Sequence, residues 1–291
     1  MTDRVIGIIG GSGLYQIDGL ADAEWRRIDS PFGAASDEVC HGALDGQPVV
    51  FLPRHGRGHP LPPSAINFRA NIDALKRCGV TDIVSLSAVG SLREDLEPGD
   101  FLVVDQFIDR TFAREKSFFG PGCVAHVSMA HPVCGRIGDA VAAAATGAGL
   151  VAKRGGTYLV MEGMQFSTLA ESELYRRWGC DVIGMTNMPE AKLAREAEIC
   201  YATVAMVTDY DCWHPGHAAV SVEMILSTLH ANAAAARALV RAVVPLLAMQ
   251  EAPCRQGCDH ALDHAVVTAP ERRDPALLAR LDAVAGRVLK A

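Results

Sequence analysis

Seven short apolar runs punctuate the chain, and most of them stop at a residue able to do chemistry. They are Val5-Ile6-Gly7-Ile8-Ile9, Pro48 to Leu52, Ile83-Val84-Ser85-Leu86-Ser87, Phe101 to Val104, Tyr158 to Met161, Val182 to Thr186 and Tyr201 to Met206. Runs this short, rich in β-branched and aliphatic residues and bounded by glycine or polar residues, read as buried strands. Helix-period segments lie between them. Phe68, Ile72 and Leu75 share one face of a helix opened by Pro63-Ser64 and stopped by Gly79. Ile137 to Leu150 is an alanine-rich helix, and another carries Pro189 near its first turn. Val222, Leu226, Leu229, Ala233, Ala236, Val240 and Val243 give one long amphipathic helix. The remaining strong local signal is a hairpin, Glu38 to Leu44 and Pro48 to Leu52 around Asp45-Gly46. This alternation dictates an α/β fold, a central, mostly parallel mixed β-sheet flanked by helices.

No repeat, low-complexity tract or linker divides residues 1–247, which read as a single catalytic domain. Residues 248–291 change character, with paired cysteines, several histidines and an amphipathic tail around Leu277, Leu278, Leu281 and Val284. They read as a C-terminal helical extension. The sequence has no 18-residue apolar run and no export signal, so a cytoplasmic protein is expected. A net charge of −7 argues against a nucleic-acid partner and leaves a small anionic ligand open. Nine dispersed cysteines read as reduced thiols. The exception is Cys254-Arg-Gln-Gly-Cys258-Asp-His260-Ala-Leu-Asp-His264, whose spacing is tighter than that of ordinary zinc fingers. A disulfide or redox pair between Cys254 and Cys258 is favoured there over zinc, and no catalytic metal is expected.

In an open parallel sheet, ligands bind beyond the carboxyl ends of the strands. Ser12, Arg54-His55, Ser87, Glu162, Met185-Thr186 and Asp209/Asp211 all fall at such ends, which points to one shared pocket. Asp209 and Asp211 stand two apart after a strand, so an extended chain would aim both carboxyls at one spot. Such a pair suits a flat heteroaromatic ring with one basic nitrogen and one exocyclic amine, such as adenine. Taken alone, it also fits a strand ending in a solvated acidic turn. Gly10-Gly11-Ser12-Gly13 lets backbone N–H groups approach an anion. It is neither a dinucleotide fingerprint nor a P-loop. Arg54 suits bidentate recognition of phosphate, and Ser12, Ser87 and Thr186 add hydroxyl donors.

Several longer motifs carry a resemblance. Ile8-Ile9-Gly10-Gly11-Ser12-Gly13-Leu14, Pro31-Phe32-Gly33, Arg54-His55-Gly56 and Gly90-Ser91-Leu92-Arg93-Glu94 resemble the trimeric purine nucleoside phosphorylase superfamily. So do Pro98-Gly99-Asp100, Asp105 to Thr111, Met185-Thr186-Asn187-Met188-Pro189-Glu190 and Thr208-Asp209-Tyr210-Asp211-Cys212-Trp213. The likeness spans about residues 4–247 and is strongest to the branch acting on 5′-methylthioadenosine. It implies a phosphate pocket at Gly10, Ser12, Arg54, His55, Ser87, Ala88 and Thr186. The ribose would lie near Met185, and the purine near Phe166, Asp209 and Asp211. His126, in a long irregular loop, would reach a neighbouring subunit's site, and Val222 and Ile225 would border the alkylthio group. The resemblance implies a homotrimer, with a hexamer also open, and no cofactor beyond phosphate as co-substrate. Phosphorylases of 6-oxopurines carry Asn where Asp209 stands, so the aspartate favours a 6-amino base. The rival readings are a phosphorylase of methylthioinosine or other 6-oxopurine nucleosides, and a non-catalytic nucleoside-binding protein.

Overall fold

A computed structural model of the chain describes residues 4–11, 17–216, 221–249 and 253–289. The first strands are β1 (Val5–Gly10), β2 (Leu20–Arg26), β3 (Val39–Leu44), β4 (Gln47–Pro53) and β5 (Val80–Ser91). They are followed by β6 (Phe101–Val103), β7 (Gln106–Arg110), β8 (Ala152–Arg154), β9 (Thr157–Met161), β10 (Val182–Gly184) and β11 (Cys200–Asp209). The helices are α1 (Phe68–Arg77), α2 (Gly135–Gly147), α3 (Leu169–Arg177), α4 (Asn187–Glu196), α5 (Val222–Ala248), α6 (Pro275–Arg280) and α7 (Gly286–Leu289).

All of these strands join one mixed sheet built around β5. Its first half pairs in parallel with β1, and β1 pairs in parallel with β4. Its middle pairs in parallel with β11 from Asp82 to Gly90. Its last two residues, Gly90 and Ser91, turn to an antiparallel pairing with β10, which continues in parallel to β9 and β7. The sheet therefore divides at the carboxyl end of β5, with β10 leaving to one side and β11 to the other. The expected hairpin is β3–β4, with Asp45 and Gly46 both at positive φ.

The apolar runs are continuous because the central strands are covered on both faces. Alternate residues of β11 make the point. Tyr201, Ala205 and Val207 join the core under α1 and α4, whereas Ala202, Val204 and Met206 join the one under α2 and α5. The helix expected from Pro63 starts later. Pro63–Ala65 is one 3-10 turn, and α1 begins at Phe68 because the Asn67 side chain accepts from the Ala70 N–H at 3.1 Å. By length and composition α5 would be able to cross a membrane, yet Leu239, Val240, Val243, Val244 and Leu247 are buried in the second core. The tail is equally engaged: Leu262, Ala265, Leu281 and Val284 lie in the first core and Cys254 and Cys258 in the second. All nine cysteines are free thiols, so the expected Cys254–Cys258 disulfide is not formed.

Candidate active site

Where β10 and β11 part from β5, a cavity of about 270 Å³ opens. Ala88, Val89 and Gly90 of β5 form its floor, with Ile183 and Gly184 of β10 and then Met185 and Thr186 on one wall. Thr208, Asp209 and Asp211 form the opposite wall, and His55, Phe166 and Ile225 close the sides. This is the crevice that a parallel sheet leaves at a topological switch point.

Both aspartates reach it, by a route the strand alternation does not describe. The register shifts between Val207 and Asp209, β11 stops at Asp209, and Asp211 sits in a left-handed turn at φ 51. The turn, and not a shared strand face, swings Asp211 back beside Asp209. Its N–H donates to Asp209 Oδ1 at 2.8 Å. Gly90 makes room for this turn: a Cβ there would lie 2.8 Å from Asp209 Oδ1 and 3.3 Å from the Asp211 Cβ. Both carboxyls are almost fully buried, at 5% and 6% exposure. Burial pushes Asp209 up to about 6, against the hydrogen bonds from Thr208 and Asp211, and the Asp211 charge adds to the rise. Burial also raises Asp211.

Thr208 ties Asp209 to the strand floor. Its hydroxyl has one hydrogen and two acceptors in reach, the Val89 carbonyl at 3.2 Å and Asp209 Oδ2 at 2.7 Å. When Asp209 is protonated, Thr208 donates to Val89 and the Asp209 proton is left to face the cavity. When Asp209 ionises, Thr208 turns to it and the Val89 carbonyl gives up its donor.

At the other end Thr186 lines the cavity, backed by Ser87 and Tyr158, which do not line it. The Ser87 hydroxyl lies 2.8 Å from that of Thr186 and 3.1 Å from that of Tyr158. Tyr158 is fully buried and is not legible from the sequence as a site residue. The His55 Nδ1 donates to the Leu61 carbonyl at 2.9 Å, and burial lowers this histidine to about 4, so the ring is neutral near pH 7. Among the described residues, no lysine or arginine lines the cavity.

Arg54 is already engaged inside the protein. Its bidentate partner is a carboxylate of the protein itself: Nε donates to Glu190 Oε2 at 2.8 Å and Nη2 to Oε1 at 3.0 Å. Nη2 also donates to Ser85 Oγ, and Nη1 to the Leu86 carbonyl at 3.0 Å. Both side chains are 2% exposed. Two lone pairs of a buried carboxylate satisfy the fork that was expected to grip an anion, leaving one Nη1 N–H without a partner among the described residues.

Other expected residues stand apart. Gly10 ends β1 outside the cavity lining, and Ser12 lies outside the described residues. The Glu162 carboxylate is consumed by Ser64, the Phe112 and Ala113 N–H groups and Arg114, which outweigh its burial and hold it at about 2. Val222 is 62% exposed and does not line the cavity, unlike Ile225 one turn on. His126 lines a different cavity of about 410 Å³ with Lys116, Lys192 and Glu196, away from the aspartates of its own chain.

A profile of the Phosphorylase superfamily matches residues 5–245, the whole body that carries this cavity. The chain belongs to that superfamily. Similar members of the phosphorylase superfamily include the S-methyl-5'-thioadenosine phosphorylase of Cereibacter sphaeroides, 65% identical over 98% of this chain and 99% of its own. The enzyme of the same name from Rhodospirillum rubrum is 63% identical over 98% and 97%. Among solved superfamily structures, a methylthioadenosine phosphorylase from an antarctic soil metagenomic library is 47% identical, with a TM-score of 0.91 over 97% of this chain and 99% of that one. Methylthioadenosine phosphorylase from Schistosoma mansoni in complex with adenine is 36% identical, with a TM-score of 0.79 over 85% and 93%. The superfamily fold is thus an α/β sheet flanked by helices, as the sequence pattern requires.

Proposed function

We propose that the chain catalyses the reversible phosphorolysis of 5′-methylthioadenosine to adenine and 5-methylthioribose 1-phosphate. The buried carboxyl pair carries the reading: Asp209, pushed up to about 6, is a proton donor facing a cavity of nucleoside size. The names of the similar proteins support it, since they act on this nucleoside.

In this mechanism a phosphate oxygen forms a bond to the anomeric carbon while the bond from that carbon to purine N9 breaks. Positive charge spreads over the ribose as the bond stretches, and the phosphate dianion stabilises it. Electron density moves into the departing purine, and Asp209 passes its proton to N7. Asp211 accepts from the 6-amino group. Phosphate is held by the Ser87 and Thr186 hydroxyls and the backbone at Ala88 and His55, with Gly10 and Ser12 from the glycine loop. Arg54 contributes its remaining Nη1 N–H. Its charge is offset by Glu190, so among the described residues the phosphate is held by neutral donors. Phe166 and Met185 pack on the purine and the ribose. We assign His126 and Val222 to the 5′ end of the nucleoside with Ile225, His126 across a subunit interface in a homotrimer, because its own cavity is separate from the aspartates. No cofactor enters the reaction.

Cleavage of methylthioadenosine, adenosine and their inosine counterparts, each with and without phosphate, tests this reading. We expect the methylthio and 6-amino compounds to be preferred and turnover to need phosphate. Adenine release in phosphate-free buffer would make the chain a nucleosidase, and a preference for 6-oxo compounds would place it with the other branch.

The pH dependence carries a sign. Asp209 acts in its protonated form, so kcat/KM for the nucleoside, with phosphate saturating throughout, should fall as pH rises through about 6. A flat profile from pH 5 to about pH 8 would remove Asp209 as the acid.

A further inference from the structure

Four cysteines far apart in sequence meet at one point. Cys134 caps the start of α2, Cys200 opens β11, and Cys254 and Cys258 follow α5. All four are buried, and their Sγ atoms lie within 4.8 Å of one another. Cys134 Sγ and Cys254 Sγ are 3.7 Å apart. A disulfide requires sulfurs about 2.05 Å apart. A zinc ion bound to four thiolates at about 2.3 Å sets neighbouring sulfurs about 3.8 Å apart along the edges of a tetrahedron. The observed spacing fits the second geometry.

The surrounding backbone is shaped to hold it. Between Cys254 and Cys258 the chain turns at Gly257, φ 67, whose N–H donates to the Cys254 carbonyl at 2.8 Å. That turn brings the two thiols of a Cys-x-x-x-Cys segment to one side. The Cys254 N–H donates to Asp259 Oδ2 at 2.8 Å, and Gln256 Oε1 accepts from the Gly135 N–H, fastening the turn to the start of α2. Arg136, ion-paired with Asp82, also stands beside Cys200 as a donor at the edge of the cluster. The sequence pattern set Cys254 and Cys258 beside His260 and His264, but the chain supplies Cys134 and Cys200 instead.

We propose that Cys134, Cys200, Cys254 and Cys258 bind one zinc ion, a structural site that fixes the C-terminal segment to the phosphorylase body. Four sulfur ligands complete the coordination shell and leave no position for water, so the ion takes no part in phosphorolysis. None of the four lines the cavity of Asp209. Binding expels the thiol protons to solvent. The segment it holds, residues 253–289, contributes Leu262, Leu281 and Val284 to the main core, so the ion would tie together elements from three parts of the chain.

The test uses the full chain, expressed with zinc in the medium and purified under reducing conditions. Elemental analysis should find about one zinc per chain, released by an organomercurial that titrates about four thiols. In a separate, untreated sample, all nine cysteines should react with a thiol reagent in denaturant containing chelator. Cobalt substitution should give the charge-transfer bands of a tetrahedral thiolate centre. A Cys254→Ser/Cys258→Ser double variant should lose the zinc and fall in Tm by roughly 10 °C, whereas Asp209→Asn keeps the metal. Zinc below about a tenth per chain overturns the proposal. So does a thiol count below nine, which would mean disulfides.

Discussion

Asp209→Asn is expected to slow phosphorolysis of the 6-amino nucleoside by about 10²–10⁴-fold, the usual worth of a positioned general acid. It should also raise the relative rate on 6-oxopurine nucleosides. The substitution preserves shape and removes only the titratable proton. An asparagine oxygen still accepts from the Asp211 N–H, and its amide can donate to Thr208, which then donates to Val89, so the turn at Asp211 should persist. What it cannot do is hand a proton to N7. It can donate a hydrogen bond there and tolerate the product of a 6-oxo base, which a buried carboxylate repels.

Stability gives an independent reading of the same residue. Its carboxyl is raised in the folded state from 3.8 to about 6. The contribution is therefore fully present below about pH 4 and lost as pH rises through 6, a swing of about 3 kcal/mol. At pH 7.5 the asparagine variant should be as stable as the parent or more so. An active-site variant that is slow yet not destabilised separates chemistry from folding. Unchanged rates on both classes of base would show that Asp209 is not the acid.

The largest loss of stability is expected from Glu190→Ala, about 3–5 kcal/mol, because it strands a buried guanidinium. Glu190 accepts from Arg54 twice, from Ser85 at 2.7 Å and from Tyr201 at 2.8 Å, so its removal empties a shared buried hub. Replacing both partners, Arg54→Met with Glu190→Leu, should cost less than the sum of the single changes, since no buried charge is left alone. The double variant should nevertheless need more phosphate for half-maximal rate, because Ser85, Leu86 and the strand end lose their anchor. Denaturant unfolding of the two singles and the double, with a phosphate titration of each, checks both parts. Additive losses would mean that the Arg54–Glu190 contact carries no coupling.

At Arg54 the sequence shows the residue but not its partner. A residue at the end of a strand beside the pocket was legible from Val49-Val50-Phe51-Leu52-Pro53-Arg54. Its partner was not, because Glu190 stands 136 positions further on and only the folded chain joins them. The aspartates do stand together, for a reason the backbone does not follow: β11 ends at Asp209, two residues short of Asp211, and a left-handed turn does the aiming. Buried strands were the most legible elements, since two-sided burial leaves unbroken apolar runs. The edge strand β2, Leu-Ala-Asp-Ala-Glu-Trp-Arg, is mostly exposed and carried no such run. Helix α3 also escaped the apolar period, although Thr168 and Glu171 form a capping box that a closer reading of spacing detects. Thr208 and Tyr158 gave no signal, because a hydroxyl's partner is set by tertiary packing alone. The four-cysteine cluster was half visible, as Cys254 and Cys258, until Cys134 and Cys200 were brought to it.

A crystal structure with phosphate and an unreactive analogue of methylthioadenosine puts the account to its most direct test. An Asp209 oxygen should lie about 2.6–3.2 Å from purine N7, an Asp211 oxygen on the 6-amino group, and phosphate across the ribose against Ser87 and Thr186. A purine bound away from both carboxyls, or phosphate on the same face as the base, would contradict it.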